Sequence, residues 1–442
     1  MHTPTRTLAV IVSLAALSAC GPADPCAGGG TATVRVRLVS TISGAKGLLT
    51  GPDGTVREAV STDTMTTVEL GSVPSGMWSA TGERYAEPDT RVRTAYAADS
   101  SSFCVGNGGT HEVTITWSPM PTSGAMWTLN GSGGSGNLLS FPAAALRVTG
   151  TVAAVSKGNG PFGRDVTFDP DGNVWSLGAT TAESHVVMTE ASHLSGAGTK
   201  SADRSINIAG ITCGPSVAGV AFDKAGNLWV SSLCMNEVYK LTPTQLSASG
   251  EVTPSVKLGG FDGPRGLAFD KNGNLYVADS GADRISRFDA AALTASTSTA
   301  SARIQALRTD NPMDSSVLAP SWLAFDKDGN LWADDFGANV IYFVSAANLV
   351  AGGDRTVTPG VRITLSVGAL LEGIAFDEAG GLWVAGSTGK VVRLDASQLS
   401  TSSNGGNPTA PQVVLSSADI AYASNMAFFP AAANLPLAHA MK

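Results

Sequence analysis

The chain has 442 residues, of which 43% are hydrophobic and only 14% charged, and it contains 51 glycines and 22 prolines. This composition favours many short strands joined by tight turns over long helices, and the length gives room for two or three domains. The net charge of −8 and the lack of any Lys/Arg run argue against a nucleic-acid partner.

Residues 1–19 have the pattern of an export signal. Arg6 is the only formally charged residue before Asp24, and the apolar run Leu8–Leu17 is too short to span a bilayer stably. The Leu-Ser-Ala-Cys sequence that ends at Cys20 resembles the lipobox of bacterial lipoproteins. The resemblance implies a lipid on Cys20, which would anchor the mature chain to the membrane in the bacterial cell envelope. The alternative is an ordinary signal peptide followed by a chance cysteine.

Four cysteines remain once Cys20 is set aside. An exported chain lies in a compartment that permits disulfides, and four cysteines allow three pairings. The local pairing joins Cys26 to Cys104 and Cys213 to Cys234. A zinc site is the competing interpretation, but the sequence has no CxxC motif and no nearby histidine to support it.

Residues 33–118 have the pattern of a small β domain. Val34–Val39 and His111–Trp117 alternate with period two, as half-buried strands do, and Gly51–Gly54 is a turn signal. A strand, the sequence Val-Pro-Ser-Gly that ends at Gly76, and a second strand follow one another. This arrangement resembles the prealbumin-type β-sandwich found as an accessory domain in secreted bacterial proteins, which implies a role in spacing or adhesion.

Two short segments separate the predicted folded parts. Residues 20–32 are rich in Gly, Pro and Ala and are predicted to form a flexible tether between the lipid and the fold. Residues 119–124 combine two prolines with small residues and are predicted to form a stiff, exposed linker. The predicted organisation is therefore signal peptide 1–19, tether 20–32, β-sandwich 33–118, linker 119–124 and repeat domain 125–442.

A repeated unit fills the chain from residue 125 onwards. Its clearest copy is Gly266–Asp279, with relatives that begin at Val166, Val220, Leu323 and Ile374 and a degenerate copy at Met426. The phenylalanines of successive copies, from Phe168 to Phe428, are separated by 54, 47, 56, 51 and 52 residues. A period near 52 in an all-β chain indicates a β-propeller.

The two ends of the repeat domain complement each other. The 313 residues from 125 to 437 hold about six units of this length. Met126–Leu129 and Leu138–Leu146 match the second half of a unit, and Met426–Leu437 matches the first half. We therefore expect a six-bladed propeller in which both ends share one composite blade, which would remove the exposed sheet edge.

Each unit contains an Asp-x-x-Gly-Asn turn between its first two strands. Its glycines are predicted to adopt positive φ, as tight hairpins require: Gly172, Gly226, Gly273 and Gly329. The turn is not a calcium loop, because the EF-hand spacing is absent. The segment Ala278–Phe288, ADSGADRISRF, resembles the NHL repeat, and the streptogramin-lyase and gluconolactonase-type propellers have blades of the same style. The resemblance implies a fold and leaves the function open.

Strand order predicts which residues share a face. Residues before the first strand and after the second lie at one end of a blade, and the hairpin turns lie at the other. Cys213 and Cys234 are therefore expected to meet in a disulfide. In propeller relatives the ligand or metal site lies at the mouth of the central channel on this face. The candidate ligand-binding residues predicted there are Arg164, Asp165, Arg265, Asp279, Trp322, Asp334, Asp335, Glu372 and Asn425.

Two interpretations of this mouth are open. Carboxylates are the ligands that Ca²⁺ and Mg²⁺ prefer, so a cation site is possible where four of them form a ring: Asp165, Asp279, Asp334 and Glu372. Alternatively, Arg164 and Arg265 neutralise the carboxylates in a salt-bridged structural rim, which we favour.

The first functional hypothesis is an envelope-anchored lipoprotein, expected to be monomeric, whose propeller is a binding scaffold for a protein, peptide or glycan. The alternative is a divalent-cation-dependent lyase or lactonase-type hydrolase at the channel mouth. Streptogramin lyases use a His, a Glu and a metal, but His185, His193 and His439 match no family motif, so a non-enzymatic role is favoured. Apart from Ca²⁺ or Mg²⁺, no cofactor is expected. Convergence of the carboxylates at an open mouth distinguishes the two hypotheses.

Overall fold

The computed structural model describes residues 30–40, 45–60, 65–84, 101–117, 125–131, 136–147, 149–169, 171–179, 184–213, 217–308, 316–366, 371–377, 380–404 and 406–429. Every regular element in these ranges is a β-strand or a short 3-10 helix, which confirms the all-β prediction. None of the helices described there is long and apolar enough to cross a membrane. Cys20, Cys26, the signal segment and the predicted linker lie outside the described residues.

The chain divides into two compact units, Met1–Ser123 and Gly124–Lys442. The first contains two sheets. One is ordered Met65–Pro74, Thr31–Ser40, Thr110–Trp117, and the other Val56–Val60, Ala45–Thr50, Gly76–Arg84, Ser101–Val105. The central strand of the three-stranded sheet pairs antiparallel with one neighbour and parallel with the other.

Side chains of both sheets enclose one core, which includes Val36, Trp78 and Phe103. The chain crosses from one sheet to the other at the predicted Val-Pro-Ser-Gly segment. There Gly76 has φ 138°, and the Trp78 indole donates a hydrogen bond of 2.9 Å to the Pro74 carbonyl. This unit is therefore a β-sandwich. Cys104 lies in its last-but-one strand, and the predicted bond to Cys26 stays a prediction.

The described part of the second unit forms six sheets, which we number by the chain order of their innermost strands. Their first four strands, from the inside outwards, are Val166–Phe168, Val174–Ala179, Ser184–Thr189 and Arg204–Ile208 in sheet 1; Val217–Phe222, Leu228–Ser232, Glu237–Leu241 and Val256–Leu258 in sheet 2; Pro264–Phe269, Leu275–Asp279, Arg284–Phe288 and Ala302–Ala306 in sheet 3; Leu323–Phe325, Leu331–Asp335, Val340–Val344 and Val361–Thr364 in sheet 4; Leu371–Phe376, Leu382–Gly386, Lys390–Leu394 and Val413–Ser416 in sheet 5; and Ala423–Phe429, Ala125–Asn130, Gly136–Phe141 and Ser156–Phe162 in sheet 6.

Shorter elements complete these sheets. A fifth, parallel strand joins the outer edge of sheets 1, 3, 5 and 6, namely Gly250–Val252, Arg355–Val357, Gly150–Thr151 and Ala197–Thr199. The 3-10 helices are Ala143–Arg147, Ala191–His193, Ser280–Ala282, Ala290–Thr294, Ala346–Asn348 and Ala396–Ser400. Most of them follow a third strand and lead the chain towards the outer edge of its sheet.

Each sheet shares an apolar core with the next, and sheet 6 shares one with sheet 1. Sheet 6 combines both ends of the unit, because its inner strand Ala423–Phe429 pairs antiparallel with Ala125–Asn130. The Thr128 hydroxyl reinforces this pairing through a 3.0 Å hydrogen bond to the Ser424 carbonyl. The sheets thus form a closed ring, which is the arrangement of a β-propeller.

The Asp-x-x-Gly-Asn motif forms the hairpin turns, as the sequence predicts. In sheet 4 the Asp326 carboxylate accepts hydrogen bonds from the Asn330 backbone, the Asn330 amide and the Trp332 indole, at 2.9 to 3.0 Å. Gly329 has φ 80°, so no side chain is accommodated there without strain. The Asn330 oxygen accepts a bond from the Ala346 amide, which ties the turn to the following 3-10 helix. The motif is therefore structural.

In sheet 5 the aspartate of the hairpin turn has a different side-chain partner. Gly381 stands where the other copies have asparagine, and the Arg393 guanidinium occupies the space that an asparagine side chain would need. Arg393 is buried, and its Nε lies 2.6 Å from a carboxylate oxygen of the buried Asp377. An ion pair with no water access thus replaces the amide-to-carboxylate bond of the other turns.

The second unit contains the predicted disulfide between Cys213 and Cys234, whose Cα atoms are 6.4 Å apart. Cys213 precedes the inner strand of sheet 2, and Cys234 follows the second strand. The bond closes a loop with a sequence separation of 21 residues. A cross-link over such a loop contributes about 3 kcal/mol in the chain-entropy model.

Arg393→Met is expected to lower the free energy of unfolding by about 3–5 kcal/mol, because it leaves the buried Asp377 carboxylate without a counter-charge. Adding Gly381→Asn to this variant is expected to restore part of the loss, since asparagine then donates to Asp377 as in the other sheets. Denaturant titration of the intact chain measures both effects.

The matched control is Arg303→Met. Arg303 lies 3.8 Å from the exposed Asp354 carboxylate, so its loss is expected to cost less than about 1 kcal/mol. Equal destabilisation by Arg303→Met and Arg393→Met would contradict the structural role assigned to the buried pair.

Candidate functional site

The inner strands of the six sheets begin at one end of the ring, and the hairpin turns lie at the other. At the first end neighbouring strands approach closely. A Cβ on Gly266 would lie 2.8 Å from the Trp322 Cα, and one on Gly373 would lie 2.6 Å from the Asn425 Cα. Any larger residue at these two glycines would push the strands apart, so glycine allows the narrow centre of the ring.

The centre of the ring is a small channel of about 110 Å³, lined by the inner strands of all six sheets. Its walls are apolar apart from Asp165, Thr167 and Asn425. Among the described lining residues Asp165 is therefore the one titratable group. The channel is a packed core with little room for a ligand.

A larger cavity of about 220 Å³ adjoins this channel at the end where the inner strands begin, and we call it the mouth pocket. Trp322 lines both spaces. The mouth pocket is lined by Gly131, Arg164, Arg265, Trp322, Phe336, Glu372, Tyr422 and Ser424. Four of the nine candidate residues predicted at the channel mouth therefore lie together, and they come from sheets 1, 3, 4 and 5.

Glu372 and Tyr422 form the acidic side of the mouth pocket. The Tyr422 hydroxyl donates a hydrogen bond to the Glu372 carboxylate. Burial raises the pKa of Glu372 above its usual range, while Tyr422, Arg265 and Arg164 act in the opposite direction. Asn130 fixes the position of Tyr422, because its side-chain oxygen accepts hydrogen bonds of 2.9 Å from the Ala421 and Tyr422 amides.

Arg164 and Arg265 form the basic side. Neither guanidinium takes part in an ion pair within the part of the chain that the structure describes. Burial lowers the pKa of Arg265, and the charge of Arg164 lowers it further, whereas Glu372 raises it. Two half-buried positive charges and the one carboxylate of Glu372 therefore line the pocket, and the arrangement favours an anionic ligand.

Asp334 does not line the mouth pocket and is fully buried. One oxygen accepts a 2.7 Å hydrogen bond from the Trp322 amide, and the other has no partner among the described residues. The pKa of Asp334 is raised to about 8, chiefly by burial; Glu372 and Asp335 also raise it, while the Trp322 bond and Arg265 lower it. Asp334 is thus mostly protonated at neutral pH, and its ionised form favours the charged state of Arg265.

Asp165 and Asn425 bind to each other and do not line the mouth pocket. The Asn425 amide donates a 2.6 Å hydrogen bond to Asp165, whose other oxygen accepts a 2.7 Å bond from the Val220 backbone. Burial raises the pKa of Asp165 to about 7 in spite of these donors. This carboxylate therefore links sheets 6, 1 and 2 at the centre of the ring.

Asp279 and Asp335 also lie outside the mouth pocket. Asp279 accepts hydrogen bonds from the Asp262 amide at 2.6 Å and from the Arg284 guanidinium at 2.7 Å. Asp335 accepts from backbone amides, including that of Ala338 at 2.7 Å. Both carboxylates hold their own loops in place.

The predicted ring of four carboxylates is therefore scattered: only Glu372 faces the mouth pocket, and Asp165, Asp279 and Asp334 are each engaged elsewhere. Within the described ranges, no group of three or more His, Cys, Asp or Glu side chains could hold a metal ion. The salt-bridged rim is not observed either, because Arg164 and Arg265 form no ion pair there.

Two aromatic residues of the mouth pocket were not among the predicted candidates. Phe336 directly follows Asp335 at the end of a second strand, and Tyr422 precedes the inner strand of sheet 6. Both positions fit the rule that strand flanks face the mouth. The repeat register therefore contains the signal for both residues, although neither carries a charge.

Comparisons with known proteins agree with the repeat assignment. The family model of the NHL repeat matches residues 261–288, which cover the first three strands of sheet 3. This match supports the NHL-like repeat predicted from Ala278–Phe288. None of the curated proteins matches this sequence.

Similar solved structures include a streptogramin B lyase, with 18% identity, a TM-score of 0.37 and coverage of 53% of this chain and 65% of that one. A virginiamycin B lyase from Staphylococcus aureus is 14% identical, with a TM-score of 0.33 and coverage of 53% and 67%. A protein of unknown function from Bacteroides caccae is 13% identical, with a TM-score of 0.42 and coverage of 69% and 98%. This chain thus spans somewhat less than two thirds of the streptogramin B lyase structure.

Asp334→Asn is expected to change how stability depends on pH. The folded-state pKa near 8 lies above the value of about 4 in an unfolded chain, so this carboxyl favours folding most at acidic pH. Its contribution is lost as the pH rises through about 8. Relative to the variant, whose amide oxygen can still accept the Trp322 bond, the unmodified chain should lose thermal stability between about pH 5 and pH 8.5.

The control is Asp328→Asn, because Asp328 is an exposed hairpin carboxylate. Melting temperatures are measured for the unmodified chain and for each variant across the pH range. The difference between unmodified chain and variant should change steadily with pH for Asp334→Asn and stay nearly constant for Asp328→Asn. A difference in melting temperature between the unmodified chain and Asp334→Asn that does not vary with pH would contradict the neutral state assigned to this carboxyl.

Proposed function

We propose that the protein is an envelope-anchored lipoprotein whose propeller binds a protein, peptide or glycan through the mouth pocket. The observation that carries this proposal is the convergence of Arg164, Arg265, Trp322, Glu372 and Tyr422 from five of the six sheets. A concave site with a few polar groups and perturbed pKa values is typical of a binding site.

The energetics of the arginines support a ligand over a purely structural role. The pKa of Arg265 is lowered first by burial and then by the charge of Arg164, so holding these two guanidinium groups in one half-buried pocket is unfavourable. A structural rim would neutralise them with the carboxylates of this end of the ring. Asp279 instead pairs with Arg284 and binds the Asp262 amide, and Asp335 binds the Ala338 amide, so the pocket keeps an excess of positive charge that a ligand can satisfy.

The alternative of a cation-dependent lyase or lactonase-type hydrolase has no specific support in the described residues. Its chemistry needs several carboxylates around one cation. The candidates are distributed over separate loops, and only Glu372 lines the mouth pocket. We therefore favour binding over catalysis.

Binding through the mouth pocket can be tested with arrays of envelope glycans and peptides. The Cys20→Ser substitution keeps the full chain in solution. This variant should be retained on the array by one class of immobilised ligand. Arg265→Met should abolish that retention, because it removes one of the two positive charges that line the mouth pocket, whereas Arg303→Met on the outer part of sheet 3 should not. Retention that is insensitive to Arg265→Met would place the binding surface elsewhere, and an absence of retention would contradict the scaffold role.

Envelope anchoring rests on the lipobox-like sequence at Cys20 and has its own test. Cells grown with a clickable fatty acid should label the unmodified protein and retain it in the membrane fraction. Cys20→Ser should remove the label and release the protein, because the thiol is the acceptor of the lipid. Cys234→Ser serves as the control, and persistent labelling of the Cys20→Ser variant would show that the anchor is wrongly assigned.

A further inference from the structure

We propose that the mouth pocket binds a sugar that carries a carboxylate, such as a uronate unit at the end of an acidic glycan. This inference rests on the proposed binding function and names the chemistry of the ligand. It is carried by four features of the mouth pocket: its net charge, its hydrogen-bond acceptor, its aromatic walls and its size.

The charge of the mouth pocket matches a single carboxylate. Arg164 and Arg265 contribute two positive charges and Glu372 one negative charge, so the pocket has an excess of one positive charge when Glu372 is ionised. A guanidinium can bind a carboxylate through two parallel hydrogen bonds. A phosphate with nearly two negative charges would be repelled by Glu372 and would be less well matched. The structure therefore favours a monoanion.

The acceptor side of the mouth pocket suits hydroxyl groups. The Glu372 carboxylate receives one hydrogen bond from Tyr422, and its remaining lone pairs can accept others. Sugar hydroxyls next to a carboxylate would donate to Glu372 while the carboxylate meets the arginines. A simple fatty acid has no hydroxyl to donate to these remaining lone pairs, and it would lose that binding energy.

The walls of the mouth pocket suit the pyranose ring of a sugar. Trp322 and Phe336 both come from sheet 4, and they provide apolar surface beside the charged groups. The C–H face of a pyranose can pack against such surface, whereas its polar edge meets Arg265 and Glu372. The innermost strands have a free edge, but it faces the central channel of about 110 Å³, which leaves no room for an extended peptide to pair there.

The size of the mouth pocket sets the extent of the ligand. Its volume of about 220 Å³ lies below the range of about 300–1,000 Å³ that is usual for pockets that enclose a whole small molecule. It therefore accommodates one end unit, with the rest of a glycan outside. The binding group is expected to be terminal.

The test is isothermal titration calorimetry on the full chain with Cys20→Ser. The probes are trigalacturonate, its methyl ester, neutral galactotriose, galactose 6-phosphate and a short peptide with a free C-terminal carboxylate. Trigalacturonate is expected to bind at least about tenfold more tightly than its ester, because a charge-assisted bond is lost. Arg164→Met and Arg265→Met should each remove this preference, and the control Arg303→Met should keep it.

Glu372→Gln tests the charge argument separately. It removes the negative charge but keeps an acceptor oxygen, so the binding of galactose 6-phosphate should strengthen relative to that of trigalacturonate. Arg265→Lys keeps the charge and loses the paired geometry, and it should weaken trigalacturonate binding by less than Arg265→Met does. Circular dichroism of each variant establishes that the fold is intact.

Several outcomes would overturn the inference. Equal binding of trigalacturonate and its ester would show that the carboxylate is not recognised. Binding of the peptide without binding of trigalacturonate would show that the ligand is not a sugar. Failure of every probe, while the arrays retain another ligand in an Arg265-dependent way, would reject the sugar acid and leave the binding scaffold in place.

Discussion

An edge-to-face contact between aromatic rings holds each sheet of the propeller to the next, and the rest of the structure depends on it. The ring on a second strand packs against the phenylalanine of the following inner strand, with centroids 5.2 to 6.2 Å apart. The pairs are Trp175–Phe222, Trp229–Phe269, Tyr276–Phe325, Trp332–Phe376, Trp383–Phe428 and Trp127–Phe168. The last pair joins sheet 6 to sheet 1, so the two faces of every sheet are covered only when the ring is closed.

The hydrogen bonds of the hairpin turns serve the same contact. In most copies an aspartate anchors the indole of the second strand, as Asp326 anchors Trp332, and this fixes the ring against its neighbour. Sheet 3 has Tyr276 instead, which donates to the Leu349 carbonyl and accepts from Arg287. An aromatic ring on the second strand is thus present in every sheet, while the hydrogen bonds that hold it differ from sheet to sheet. The most visible residues of the repeat therefore have structural roles.

Closure of the ring also determines the electrostatics of its mouth. Glycines such as Gly266 let the inner strands approach closely, and this leaves carboxylates such as Asp165 and Asp334 without water. Their raised pKa values reduce the negative charge of this end at neutral pH. Arg164 and Arg265 keep their charge, because guanidinium remains protonated even when it is partly buried. The same packing that closes the ring thus favours an anion at its mouth.

The sequence by itself determined the all-β propeller, the hairpin turns, the Cys213–Cys234 disulfide and the position of Arg265 and Glu372 at one end. These features follow from a regular period and from local turn chemistry, which are visible in one dimension. Only the tertiary structure decided which flanking side chains enter the mouth pocket. Asp279 is held by the Asp262 amide and by Arg284, and Asp335 by the Ala338 amide. Tyr422 is placed by Asn130 from the other end of the unit. Such choices depend on loop conformation and long-range hydrogen bonds, which no repeat period encodes.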